Sequence, residues 1–196
     1  MDLGGFLSGI SRVDLLIFLF FLAFFVLGFA QGTIRRLIGI ASILFSFLLA
    51  ANVADALGAY LGSNWTQFSK EYATMIGFGT VFLASCIAFA IVAQGLYKPQ
   101  PLFKKARFLD EIIGGILGIV EAALIFGCVL VILDSFFRIP GIPPDPQELQ
   151  FVRQFYEQIT DTQAAALFRD TVIPAFLLLT GFLVPDWIER NYPSLR

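Results

Sequence analysis

The sequence predicts an all-α integral membrane protein: about four transmembrane helices, then a C-terminal amphipathic helix and a short apolar interfacial or re-entrant segment. Three observations predict it. Of 196 residues, 58% are hydrophobic and 14% charged, against roughly 25% charged in soluble domains. Twenty-three Phe and a mean hydropathy of +0.81 exceed what one core of this size hides from water, so lipid must cover much of the surface. The apolar residues also gather into long runs separated by short polar or Pro-containing stretches, giving expected spans at residues 14–30, 37–61, 73–97 and 112–135. These make a transmembrane domain of residues 1–137, followed by a linker and amphipathic tail at 138–196.

The first span carries twelve Leu, Ile, Phe or Val in the thirteen positions from Leu15. Together they favour insertion by about 4 to 7 kcal/mol, against at most about 3 for Asp14 at its edge. Gly28, Phe29 and Ala30 resemble a leader cleavage site, but Asp2 and Arg12 give the preceding segment no positive excess, so the helix is expected to be retained. Residues 31–36 read as a short polar hinge and 37–61 as the returning helix, so the first two spans are expected to form a hairpin. A polar connection with Trp65 leads to the third span. Two Pro and four basic residues within 98–107 then interrupt the helical pattern before the fourth.

Beyond the Pro-rich stretch 138–146, Asp145 and Pro146 form a helix-start signal with Glu148 close behind. A helix over 146–169 then places Val152, Phe155, Tyr156 and Ile159 on one apolar stripe. Residues 171–184 are apolar but rise only about 21 Å as a helix and contain Pro174 and Gly181, so an interfacial or re-entrant course is expected rather than a fifth span. Six basic residues border the connections after the first and third spans (Arg35, Arg36, Lys98, Lys104, Lys105, Arg107), against three on the other side (Arg12, Lys70, Arg138). This bias puts the first set in the cytoplasm and both termini outside.

Composition also excludes functions. A net charge of −2 and a pI of about 5.1 supply no basic surface for nucleic acid. With no His, the commonest general base and metal ligand is absent, and Cys86 and Cys128 lie singly within apolar runs as packing residues. No enzyme, cofactor or metal is expected. The expected partners are the lipid bilayer and a second copy of the chain or other membrane proteins.

A few residues stand out within the spans. Gly28 and Gly32, and Gly114 and Gly118, are each four apart, the small-residue spacing that lets helices approach closely. Arg35 is expected to reach toward lipid headgroups. Glu121 lies about 14 Å along the fourth span from Ile112, near the expected midplane and on the glycine face. An intramembrane carboxyl is a functional candidate by default. No Lys or Arg of the expected spans is placed to meet it, so Glu121 is expected to be uncharged at pH 7 unless a partner or water reaches it. Ser42, Ser46, Ser85 and Gln94 are the expected hydrogen-bond partners if its role is structural.

Asp14, Gly28-Phe29 with Gly32 and Arg35, Leu109-Asp110 followed by Gly114 and Gly118, and Leu133-Asp134-Ser135-Phe136 occur in this order over nearly the whole chain. In that order and spacing the sequence resembles the colicin V production protein (CvpA) family. It departs from the family pattern at Glu111 and near Glu121, where basic residues are common. The resemblance implies a multi-pass bacterial inner-membrane protein of toxin production, serving export or envelope maintenance as an accessory or scaffold component. The alternative is a small oligomeric transporter or channel with Glu121 facing the pathway. Asp110 joins Glu121 and Arg35 as a candidate functional polar residue.

Overall fold

The computed structural model describes residues 12–65, 67–96, 106–138, 148–186, 188 and 192. Four helices are long and apolar enough to cross a membrane: α1 (Arg12–Gln31), α2 (Thr33–Asn64), α3 (Lys70–Leu96) and α4 (Arg107–Phe137). Shorter helices α5 (Gln150–Thr160), α6 (Gln163–Leu167) and α7 (Ile173–Thr180) follow, with a π turn at Phe168–Val172 between the last two. Every regular element among the described residues is helical.

The expected hinge over 31–36 shrinks to one residue. Gly32 alone separates α1 from α2, at φ 79°, a left-handed conformation that glycine adopts without steric cost. α2 therefore starts at Thr33 rather than residue 37 and runs 32 residues, about 48 Å. The expected hairpin of α1 and α2 is not formed either. α2 packs along α3 and α1 along α4, while α1 and α2 scarcely touch.

Small residues decide both pairings. A Cβ on Gly28 would stand 2.2 Å from the Gly114 carbonyl oxygen, and one on Gly118 would stand 2.1 Å from that of Phe24. Any side chain at either position would drive α1 and α4 apart. Phe24 faces Gly118, Gly28 faces Gly114 and Gly32 faces Asp110, so the two helices run antiparallel. The Thr33 hydroxyl donates to the Asp110 carbonyl at 3.1 Å. Arg35 and Arg107 thus share one end of the bundle, the basic end. Elsewhere α1 exposes apolar side chains such as Leu16 (64%) and Phe18 (62%), a surface only lipid can solvate. On the other pair, Gly58 admits Thr74, and Ala50, Ala51 and Ala54 are fully buried beneath Phe47 and Phe78.

The tail differs from its expected form. Asp145 and Pro146 lie outside the described residues; α5 begins at Gln150, and the single helix expected over 146–169 breaks at Asp161. There the Thr162 side chain accepts from the Ala165 N–H at 3.1 Å and starts α6. Such a local bond offers the backbone a new start in place of continuation. The expected stripe also divides: Ile159 is buried and Val152 and Tyr156 are half-buried, but Phe155 is exposed with Phe151. α7 rises only about 12 Å. It packs Phe176 against Phe47, ring centroids 6.2 Å apart, and sets Ile173 3.9 Å from where a Cβ on Gly127 would stand, so it enters the bundle beside α2 and α4 without crossing it.

The arrangement sets the two ends of α2 on opposite sides of the membrane. In a Cys86→Ala/Cys128→Ala background, a Cys replacing exposed Arg35 is expected to escape an impermeant maleimide added to intact cells, and a Cys replacing Asn64 to react. Reaction at both positions would defeat the four-span arrangement.

Candidate functional site

α4 carries two carboxylates that meet arginines from other elements, Glu121 at its middle and Asp134 near its C-terminal end. Toward the basic end, Arg36 Nη1 donates to Glu121 Oε2, and the two side chains are 6% and 12% exposed. Arg36 Nη2 donates to the Gln31 side-chain oxygen at 2.6 Å, and the guanidinium lies 5.8 Å from the Phe24 ring centroid, within cation–π range. Glu121 abuts Gly39, where a Cβ would stand 2.3 Å from Oε1. The missing side chain there is what admits the carboxylate.

This overturns the expected environment of Glu121. Its partner among the described side chains is Arg36 rather than Ser42, Ser46 or Ser85, while the side chain of Gln94 lies outside those described. Nor does it lie in the glycine seam. Gly114 and Gly118 face α1, whereas Glu121 projects beside them toward α2. In an α-helix each Cβ leans toward the N-terminus. Glu121 therefore reaches back toward the basic end, where Gly39 and Arg36 stand within two turns of the start of α2.

A cavity of about 780 Å³ opens beside this pair, lined by all four long helices and by Gln31, Arg35, Arg36 and Glu121 among its polar groups. Arg35 is exposed at its rim, and no carboxylate among the described residues pairs with it. Asp110 is buried at the α1–α4 crossing, its carboxylate against Gly32 and its carbonyl bonded by Thr33. It does not join Glu121; it belongs to the helix junction.

At the other end, Asp134 is fully buried and holds the tail. Arg169 clasps it through two bonds, Nε to Oδ2 at 2.9 Å and Nη2 to Oδ1 at 2.6 Å. The Tyr192 hydroxyl donates to Oδ2 at 2.7 Å, and Arg138 stands 3.8 Å from the same oxygen. Burial, then the adjacent carboxylate, push the Tyr192 hydroxyl well above its ordinary range, so it remains a donor. Arg169 is aimed by the π turn, in which the Ile173 N–H bonds back to the Phe168 carbonyl just before Pro174. Proline has no N–H to continue the ordinary ladder, and a widened turn absorbs the break.

Sequence reasoning missed Arg36, Gln31, Arg169 and Tyr192, and quoted Asp134 only as part of a motif. The signal for Arg36 was present: it stands seven residues before Ile43 and fourteen before Ala50, on the buried face once the helix is extended back to Thr33. Assigning 31–36 to a hinge concealed it. Arg169 and Tyr192 meet Asp134 across 35 and 58 residues, a distance no local pattern spans. Among the described residues no group of acidic or Cys side chains forms a metal site.

The sequence model of the Colicin V production protein family matches residues 13–170, well over half of the chain. Neither the curated proteins nor the solved structures compared with it include a match.

Removing one member of a buried pair costs about 3–5 kcal/mol, whereas replacing both by apolar groups is often neutral. Arg36→Met alone is therefore expected to lower the thermal midpoint in detergent sharply, and Arg36→Met/Glu121→Leu to recover most of the loss; additive losses would show that the pair is not coupled. For the tail, Arg169→Met is expected to expose residues beyond Pro146 to added protease while α1–α4 stay intact. The wild-type tail should loosen only above about pH 10. A hydroxyl whose folded-state value is raised stabilises fully below its unfolded value and loses that contribution as pH climbs past it. Equal protection of Arg169→Met and wild type would dismiss the latch.

Proposed function

The chain belongs to the colicin V production protein family, and from that premise we propose that it is an accessory or scaffold component of the bacterial inner membrane, serving bacteriocin production and export or upkeep of the envelope. The observation that carries this reading is how the bundle spends its charges. Two carboxylates of α4, Glu121 and Asp134, are closed by arginines of the same chain, an arrangement that fixes helices and tail in place. A body so fixed suits a platform that presents lipid-facing helices and a basic end to other components. No chemical transformation enters the proposal.

A second reading, a small oligomeric transporter or channel, is favoured by the cavity of about 780 Å³ beside Glu121. Four helices seldom enclose a conduit alone, so it requires several copies. Two measurements separate the readings. Deletion of the gene from a bacteriocin-producing strain is expected to lower toxin activity in the supernatant and to be complemented by the wild-type chain, while the purified protein in liposomes passes neither protons nor monovalent ions above empty controls. Flux abolished by Glu121→Gln would replace the scaffold with the transporter.

A further inference from the structure

Arg36 is a cation with half of its recognition edge unused. A guanidinium clasps an oxyanion most effectively side-on, through Nε and Nη2 together. Arg169 does this within the same molecule, donating Nε and Nη2 to the two oxygens of Asp134 at 2.9 and 2.6 Å. On Arg36 the corresponding edge holds a neutral amide oxygen, Gln31 Oε1, at Nη2, while Nε has no hydrogen-bond partner although the residue is only 5% exposed. Glu121 is engaged at Nη1, away from that edge. Leaving a buried donor on a charged group unmet is costly, more so than on a neutral one.

The cavity that Arg36 lines has the chemistry of an amphiphile. Its volume of about 780 Å³ lies within the roughly 300–1,000 Å³ of small-molecule sites. Its charged groups, Arg35, Arg36 and Glu121, sum to one net positive charge. The remaining wall is largely apolar, with Ile38, Phe82, Leu83 and Ile125 among its residues. Leu83 and Ala90 on this wall are exposed on α3, so the cavity is entered sideways, from the acyl region. Arg35 stands exposed at the basic end of the same space. Basic pockets between transmembrane helices take anionic headgroups.

We propose that the cavity binds one anionic phospholipid, its phosphate received by Arg36 once the Gln31 side chain turns aside to uncover the Nε–Nη2 edge, with Arg35 at the rim and an acyl chain lying along the apolar α3 wall. This goes beyond the scaffold reading and does not rest on it: the site would exist whether the protein recruits partners or conducts ions. Its chemistry selects for phosphate charge together with a chain, so a zwitterionic lipid or free phosphate satisfies only part of it.

The decisive variant is Gln31→Glu, which keeps the size of the side chain but supplies an oxyanion to the Arg36 edge from within the chain. Arg36 substitutions are unsuitable alone, since they also unpair Glu121. Full-length protein, delipidated in detergent, is titrated with phosphatidylglycerol, phosphatidylcholine or inorganic phosphate and followed by native mass spectrometry and thermal unfolding. Phosphatidylglycerol is expected to remain bound at one per chain and to raise the unfolding temperature. Gln31→Glu is expected to unfold no earlier than lipid-free wild type and to hold phosphatidylglycerol about tenfold or more weakly, the scale of a lost charge-assisted pair. Retention of phosphatidylcholine as firmly as phosphatidylglycerol, stabilisation by inorganic phosphate alone to the same extent, or undiminished phosphatidylglycerol binding by a folded Gln31→Glu would each overturn the proposal.

Discussion

Everything in this bundle depends on backbone meeting backbone where Gly28 crosses Gly114. α1 is apolar on all sides, and in lipid an apolar surface gains nothing by exchanging acyl chains for leucines. What singles out α4 as its neighbour is the close approach that absent side chains permit, with Gly118 against Phe24 and Gly32 against Asp110 extending the seam in register. That register places Gln31 beside Arg36 and the start of α2 beside the start of α4. The polar geometry at the basic end follows from a contact that contains no polar side chain.

Given this alignment, α4 is the element that organises charge. Glu121 and Asp134 stand thirteen residues apart on it, one held by α2 and the other by the tail. The two pairs solve the same difficulty with different thoroughness. Asp134 receives a side-on guanidinium and a phenol hydroxyl and is left with little unmet capacity. Glu121 receives one arginine nitrogen, and that arginine, beside the cavity, retains a buried donor with no partner. The first arrangement is closed and serves attachment; the second is open on one side, which is where chemistry with a visitor can occur.

The long spans were legible because apolar runs of this length have few alternatives to crossing a bilayer, and the family was legible from the order of its short motifs. Pairing was harder to read. A polar stretch between two apolar runs reads as a loop, yet Thr33 to Arg36 are helical because Gly32 alone turns the chain, and that difference hid Arg36. The glycine spacings announced close packing but not which helix would be the counterpart of which. In the tail, the apolar stripe was visible, while its division at Thr162 depended on a side-chain bond to the Ala165 amide that competes with helix continuation at a single residue. The contacts of Asp134 depended on residues far along the chain, and nothing near Asp134 in sequence encodes them.

The distance in sequence between Asp134 and its partners has a bearing on biosynthesis. The chain is made from its N-terminus, so α4 can enter the bilayer before Arg169 has been synthesised, and Tyr192 follows later still. During that interval the carboxylate that ends as the most enclosed acid among the described residues lacks its side-on guanidinium, with Arg138 nearby, 3.8 Å away in the finished fold. Arg169 and Tyr192 thus complete the fourth helix as well as the tail. A chain that stops short of Arg169 lacks the guanidinium and the phenol that enclose Asp134 in the finished fold.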